Sequence, residues 1–61
     1  MIKLITNDFV AVANALLDSD IQFDVGELVP NEPVEVEIRF DDDKNKAIAA
    51  LKAAKAKYSF E

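Results

Sequence analysis

Two groups of carboxylates are the residues of this 61-residue chain whose types and spacing could do chemistry: the run Asp41-Asp42-Asp43 and the alternate pair Glu35 and Glu37. Oxygen ligands of this kind are what Mg²⁺ and Ca²⁺ take. Neither spacing matches a cation-binding loop. Glu35 and Glu37 would stand on one side of a strand, about 7 Å apart on an open sheet, and three aspartates ahead of an alanine- and lysine-rich run suit the start of a helix. No metal and no cofactor is therefore expected. Ser19, Ser59 and Thr6 bring hydroxyls without a basic partner in a nucleophile motif. The chain has no cysteine and no histidine, which removes disulfides, thiolate chemistry, soft-metal sites and the usual proton carrier near neutral pH. Two layers built from so short a chain leave little room for a pocket of about 300–1,000 Å³. The sequence predicts a protein that is not an enzyme.

The elements that would position these residues are organised around the stretch from Pro33 to Tyr58. Val34, Val36, Ile38 and Phe40 alternate with Glu35, Glu37 and Arg39, which predicts a strand with its apolar side inward. Asp41 to Asp43 then supply an N-cap and two first-turn acids for a helix running to about Tyr58. At 100° per residue its buried centre line is Ala47, Leu51, Ala54 and Tyr58, with Ile48 and Ala50 at the edges. Ala49, Ala53 and Ala56 face solvent, Lys52 and Lys55 form one flank, Lys46 and Lys57 the other, and Lys44 lies near the buried side.

Upstream, Met1 to Ile5 reads as a strand with Ile2 and Leu4 on one face and Met1, Lys3 and Ile5 on the other. Thr6 or Asn7 can cap a helix from about Asp8 to Asp18. Its apolar set is Phe9, Val12, Ala13, Leu16 and the flanking Leu17, with Ala11, Asn14, Ala15 and Asp18 toward water. Asp18 and Asp20 stand at the negative end of the helix dipole, either as a polar turn or as an acidic knob kept for a partner. Ile21 to Val25 is a second alternating strand, with Ile21, Phe23 and Val25 inward. A bulge at Gly26-Glu27 would return Leu28 to the core, and Val29-Pro30-Asn31-Glu32 is a turn.

The order strand, helix, strand, strand, helix resembles a ferredoxin-like βαββαβ unit that stops at, or barely begins, its last strand. The resemblance is one of element order and names no function. The expected fold is a single α+β domain over residues 1–61, a two-layer βαββα arrangement. Its three-stranded antiparallel sheet has the order 1-3-2 with both helices on one face, and Ser59 to Glu61 add a short fourth strand or fray.

Charge divides the chain. Residues 1–43 hold 11 acids against Lys3 and Arg39, and residues 44–61 hold five lysines against Glu61, for a total of −5. An acidic total disfavours direct nucleic-acid binding and leaves open a protein partner with a basic surface. The N-terminus is a poor signal peptide, no apolar run reaches the 18 residues of a membrane span, and the absence of cysteine fits the cytoplasm. The function expected is that of a small regulatory interaction module without catalysis. Its partner-binding residues are Asp24, Glu35, Glu37 and Arg39 on the open sheet face, with Asp18 and Asp20 as outliers. An acidic inhibitor mimicking the phosphate rows of DNA is the alternative, followed by nucleic-acid contact through the lysine-rich helix. A core this thin also favours a homodimer formed through an edge strand, the Met1 and Ile5 face or Phe60.

Overall fold

A computed structural model describes residues 2–61, so the expected position of Met1 lies outside the described residues. The elements are β1 (Ile2–Thr6), α1 (Phe9–Asp18), β2 (Phe23–Val25), β3 (Val34–Ile38), a 3-10 turn over Asp41–Asp43, α2 (Lys44–Ala53) and β4 (Ser59–Phe60). The α+β class expected from the sequence is the class observed. The sheet is four-stranded and antiparallel with the order β2-β3-β1-β4, which differs from the expected three-stranded 1-3-2 sheet by the addition of β4 beside β1. The fourth strand exists because Ser59 and Phe60 pair with Ile5 and Leu4 on the outer side of β1.

Alternation in β1 and β3 decides which side is buried. Leu4, Val36 and Ile38 enter one apolar cluster with Val12, Ala15 and Leu16 of α1, Ala47 and Leu51 of α2, and Ile21. Because both helices and one sheet face share that cluster, both helices lie on the same side of the sheet. Phe40 does not continue the pattern and is 53% exposed. Its carbonyl accepts the Asp43 N–H at 3.0 Å, which turns the chain away from the sheet after Ile38.

Both helices stop through the same device. After α1, Asp20 takes φ 57°, its N–H bonds the Leu17 carbonyl at 3.1 Å, and the Ile21 N–H bonds the Leu16 carbonyl at 3.0 Å. After α2, Lys55 takes φ 56°, its N–H bonds Lys52 and the Ala56 N–H bonds Leu51, both at 3.1 Å. These are the paired bonds of a Schellman motif, which satisfies carbonyls a helix leaves open and usually employs glycine at the left-handed residue. Here an aspartate and a lysine occupy it. The predicted helix to Tyr58 therefore ends early: Ala54 is exposed, Tyr58 lies off the helix, and β4 pairing outweighs the helix propensity of the alanines.

Local capping also differs from expectation. Asp8 is the N-cap of α1 and makes no side-chain capping bond. The Thr6 hydroxyl instead accepts the Asp8 N–H at 2.8 Å and donates to the Lys57 carbonyl at 2.5 Å, tying the start of α1 to the connection into β4. Asp41 to Asp43 form the 3-10 turn, and Asp43 caps α2 without a side-chain bond. On α1, Ala15 is buried and Leu17 is 62% exposed, the reverse of the expected faces. The buried stripe is centred on Val12 and Leu16 and widens through Ala15 because α1 packs on α2 as well as on the sheet.

β2 starts at Phe23, since the N–H of Ile21 is taken by the end of α1. There is no bulge at Gly26: its N–H donates to the Glu35 carbonyl at 2.8 Å, in register with the ladder, and Leu28 is exposed. Val25, on the inward side by phase, is partly exposed at this sheet edge. The Val29–Glu32 turn forms as predicted, with the Glu32 N–H on the Val29 carbonyl at 3.2 Å and Asn31 at φ 67°. Proline second and a positive φ third is the arrangement a type II turn requires.

Candidate functional site, the open face of the sheet

The side of the sheet turned away from the helices carries the odd-numbered residues of β1 and β3. The ladders arrange them in rows. Asp24, Glu37 and Lys3 stand abreast across β2, β3 and β1, and Glu61 joins them through its N–H bond to the Lys3 carbonyl at 3.0 Å. Glu35 and Ile5 form the next row, with Ser59 beyond Ile5. Gly26 sits on the other flank of Glu35, and a Cβ there would come within 3.4 Å of the Glu35 Cβ and carbonyl oxygen.

Arg39 lies one row below Glu37, and its guanidinium reaches diagonally to Asp24. Nε donates to Oδ2 at 2.9 Å and Nη2 to Oδ1 at 2.7 Å, a bidentate pair about half exposed on each side. Hydrogen bonding from the guanidinium, with its charge in support, holds the Asp24 carboxyl below the usual carboxylate range against a small opposing effect of burial. The reciprocal hydrogen bond raises Arg39 above its ordinary value. The pair fixes Asp24 beside Glu37, where two unpaired acids on adjacent strands would repel.

With Arg39 committed to Asp24, the rows leave Glu35, Glu37 and Glu61 facing Lys3. The centre of the face is acidic. Its upper end is not flat: an open depression of about 390 Å³ is lined by Ile5, Thr6, Asn7, Pro33, Lys57, Tyr58 and Ser59. The sequence left little room for such a space. It lies where the sheet ends: β3 begins at Val34 opposite Thr6 and β4 at Ser59 opposite Ile5, so Asn7, Pro33, Lys57 and Tyr58 lie just beyond the paired strands. Its lining residues are apolar at Ile5 and Pro33 and polar at Asn7, Lys57 and Ser59.

Of the six residues singled out in the sequence, Asp24, Glu35, Glu37 and Arg39 come together on this face. Asp18 and Asp20 do not. Asp18 ends α1 and Asp20 is the left-handed residue that terminates it. Both lie before β2, and the carbonyl of Gln22, which leads into β2, accepts the Arg39 N–H at 3.1 Å. Glu61, Ser59 and Lys57 were missed as members of the face. Their odd-number phase could have revealed them once Ser59 was taken as a strand residue.

The lysines do not form the two helical flanks expected. Lys55 and Lys57 follow the end of α2, and the Lys44 ammonium lies 5.6 Å from the centre of the Phe60 ring. Among the described residues no group of three or more histidine, cysteine or acidic side chains could hold a metal ion, and no helix is long and apolar enough to cross a membrane. Family models, curated proteins and solved structures were all compared with the chain, and none matches.

Proposed function

We propose that this chain is a small regulatory interaction module of the cytoplasm that grips a protein partner with its open sheet face and performs no catalysis. The observation that supports this most is the pattern on that face. An acidic centre of Glu35 and Glu37, beside the Asp24–Arg39 pair, adjoins a depression at Ile5 that has Lys57 among its lining residues. A partner suited to it offers basic side chains to the glutamates and one apolar side chain to the depression. Complementary charges of this kind raise association rate and fix register more than they raise affinity.

Nucleic-acid contact through α2 has less support, because the helix stops before it can align the lysines in rows that track phosphates. The acidic-mimic alternative would draw on Asp18 and Asp20 at the end of α1 and on Asp41 to Asp43 before α2, none of which is on a strand of the open face.

The test is affinity capture with the tagged protein from its source lysate, with and without nuclease, at moderate salt. A stoichiometric partner that survives nuclease supports the proposal. Retention of nuclease-sensitive material alone would contradict it.

A further inference from the structure

The depression at the end of the open face departs in charge from the rest of the chain. The sequence holds 12 acids against seven cations, yet no acid is among the residues that line this space, and Lys57 is. Among the described residues Lys57 enters no ion pair, whereas Arg39 is held by Asp24. The main chain at Lys57 is fixed all the same, because the buried Thr6 hydroxyl donates to its carbonyl. The position is anchored while its ammonium has no counter-charge. Apolar surface lies on the other side: Ile5 is half-buried, and Pro33 is exposed just ahead of β3. At about 390 Å³ the space is at the small end of ligand sites, which run from about 300 to about 1,000 Å³.

Such a lining matches an apolar side chain and a carboxylate presented together. The last residue of a polypeptide carries both on one Cα. An internal aspartate or glutamate would bring the charge without the apolar group, and an internal leucine the reverse. We infer that the depression holds the C-terminal residue of the partner chain, its apolar side chain against Ile5 and Pro33 and its free carboxylate toward Lys57. This rests on the open-face reading proposed above and names the part of the partner that enters.

Charge complementarity continues along the sheet. Glu35 stands beside Ile5 in the ladder, and Glu37 follows on β3 about 7 Å further on. An extended tail laid along β3 turns alternate side chains toward the sheet at the same repeat of about 7 Å. Its second and fourth residues before the last therefore come over the two glutamates. The ligand so defined has basic residues at those two places, an apolar last residue and a free carboxylate. A tail with acids at the same places would meet like charge.

The test is a titration of isotope-labelled wild type with acetyl-Gly-Lys-Gly-Lys-Gly-Leu to about 5 mM, as the free acid and as the C-terminal amide, followed by backbone amide shifts. The free acid is expected to bind within this range and to move Ile5, Asn7, Glu35 and Ser59, and the amide to bind about three- to tenfold more weakly. Lys57→Met is expected to weaken the free acid by the same factor and to leave the amide unchanged. Lys57 is exposed, so circular dichroism should show the variant folded. Free acid and amide bound equally, with shifts at Glu35 and Glu37, would overturn the inference and leave the open-face reading standing. No binding of the free acid by about 5 mM would overturn it too, while affinity capture from lysate judges the open-face reading separately. Acetate or phosphate that moved the same amides as strongly as the peptide would also overturn it, since the depression would then be a general anion site.

Discussion

Replacing Thr6 with valine should cost this domain about 2 kcal/mol, although the change is nearly isosteric. Thr6 is 3% exposed, and its hydroxyl joins the Asp8 N–H to the Lys57 carbonyl. Valine keeps the branched shape but removes both bonds, leaving two backbone groups to find water from partly buried positions at about 1–3 kcal/mol each at the limit. The added methyl returns up to about 0.8 kcal/mol. A domain of this size has a total stability of roughly 3–9 kcal/mol at ordinary values per residue, so the loss is a large share. With a urea m-value near 1 kcal/mol/M, the midpoint should fall by about 2 M. Thr6→Ser keeps both bonds and drops one methyl, so it should cost no more than about 1 kcal/mol. Urea titration followed by far-UV circular dichroism separates the two, and amide exchange at Asp8 should quicken in the valine variant alone. If Thr6→Val matched or exceeded wild type while Thr6→Ser was the weaker, packing and not the hydroxyl bridge would hold this corner.

Other expectations follow from the helix ends, the ion pair and the last strand. Lys55→Gly should stabilise by about 0.5–1 kcal/mol, because the left-handed conformation costs an L side chain and suits glycine. A lower urea midpoint than wild type would contradict it. Asp24 has a folded-state carboxyl pKa below its unfolded one, so its contribution to stability is present above the ordinary carboxylate range and is lost as pH falls through the folded value. In Arg39→Gln the Asp24 carboxyl should titrate at an ordinary value by carbon-detected NMR; an unchanged titration would show that Arg39 is not the cause. Phe60→Ala should cost about 1–2 kcal/mol, since Phe60 packs edge-on to Tyr58 at 5.4 Å, lies beside Lys44 and anchors β4. Slower exchange at Lys3 and Ile5, whose backbone groups face β4, than in wild type would contradict its role as the anchor.

The parts legible in the sequence were those written in a clean period. The alternation of Val34 to Ile38 placed β3, and the phase of Lys3, Ile5, Glu35, Glu37 and Arg39 assigned the open face, because a side chain's facing in a strand follows from parity alone. The Val29–Glu32 turn was legible from Pro30 and the asparagine after it. What escaped was settled by contacts distant in sequence. Nothing local at Lys55 marks a helix end, as a glycine would, and the stop depends on Thr6 holding the Lys57 carbonyl, 51 residues away along the chain. The exchanged roles of Ala15 and Leu17 likewise depend on α2. Gly26 read as a bulge because its phase broke, whereas the ladder runs straight through it and simply ends.

The most direct test of the proposed function is to compare what wild type and Glu35→Lys/Glu37→Lys retain from the source lysate after nuclease treatment. Both positions accept the change without disturbing the core, which circular dichroism should verify. The proposed open-face contact predicts that one stoichiometric protein is held by wild type and released by the double variant. The same protein held equally by both would contradict it.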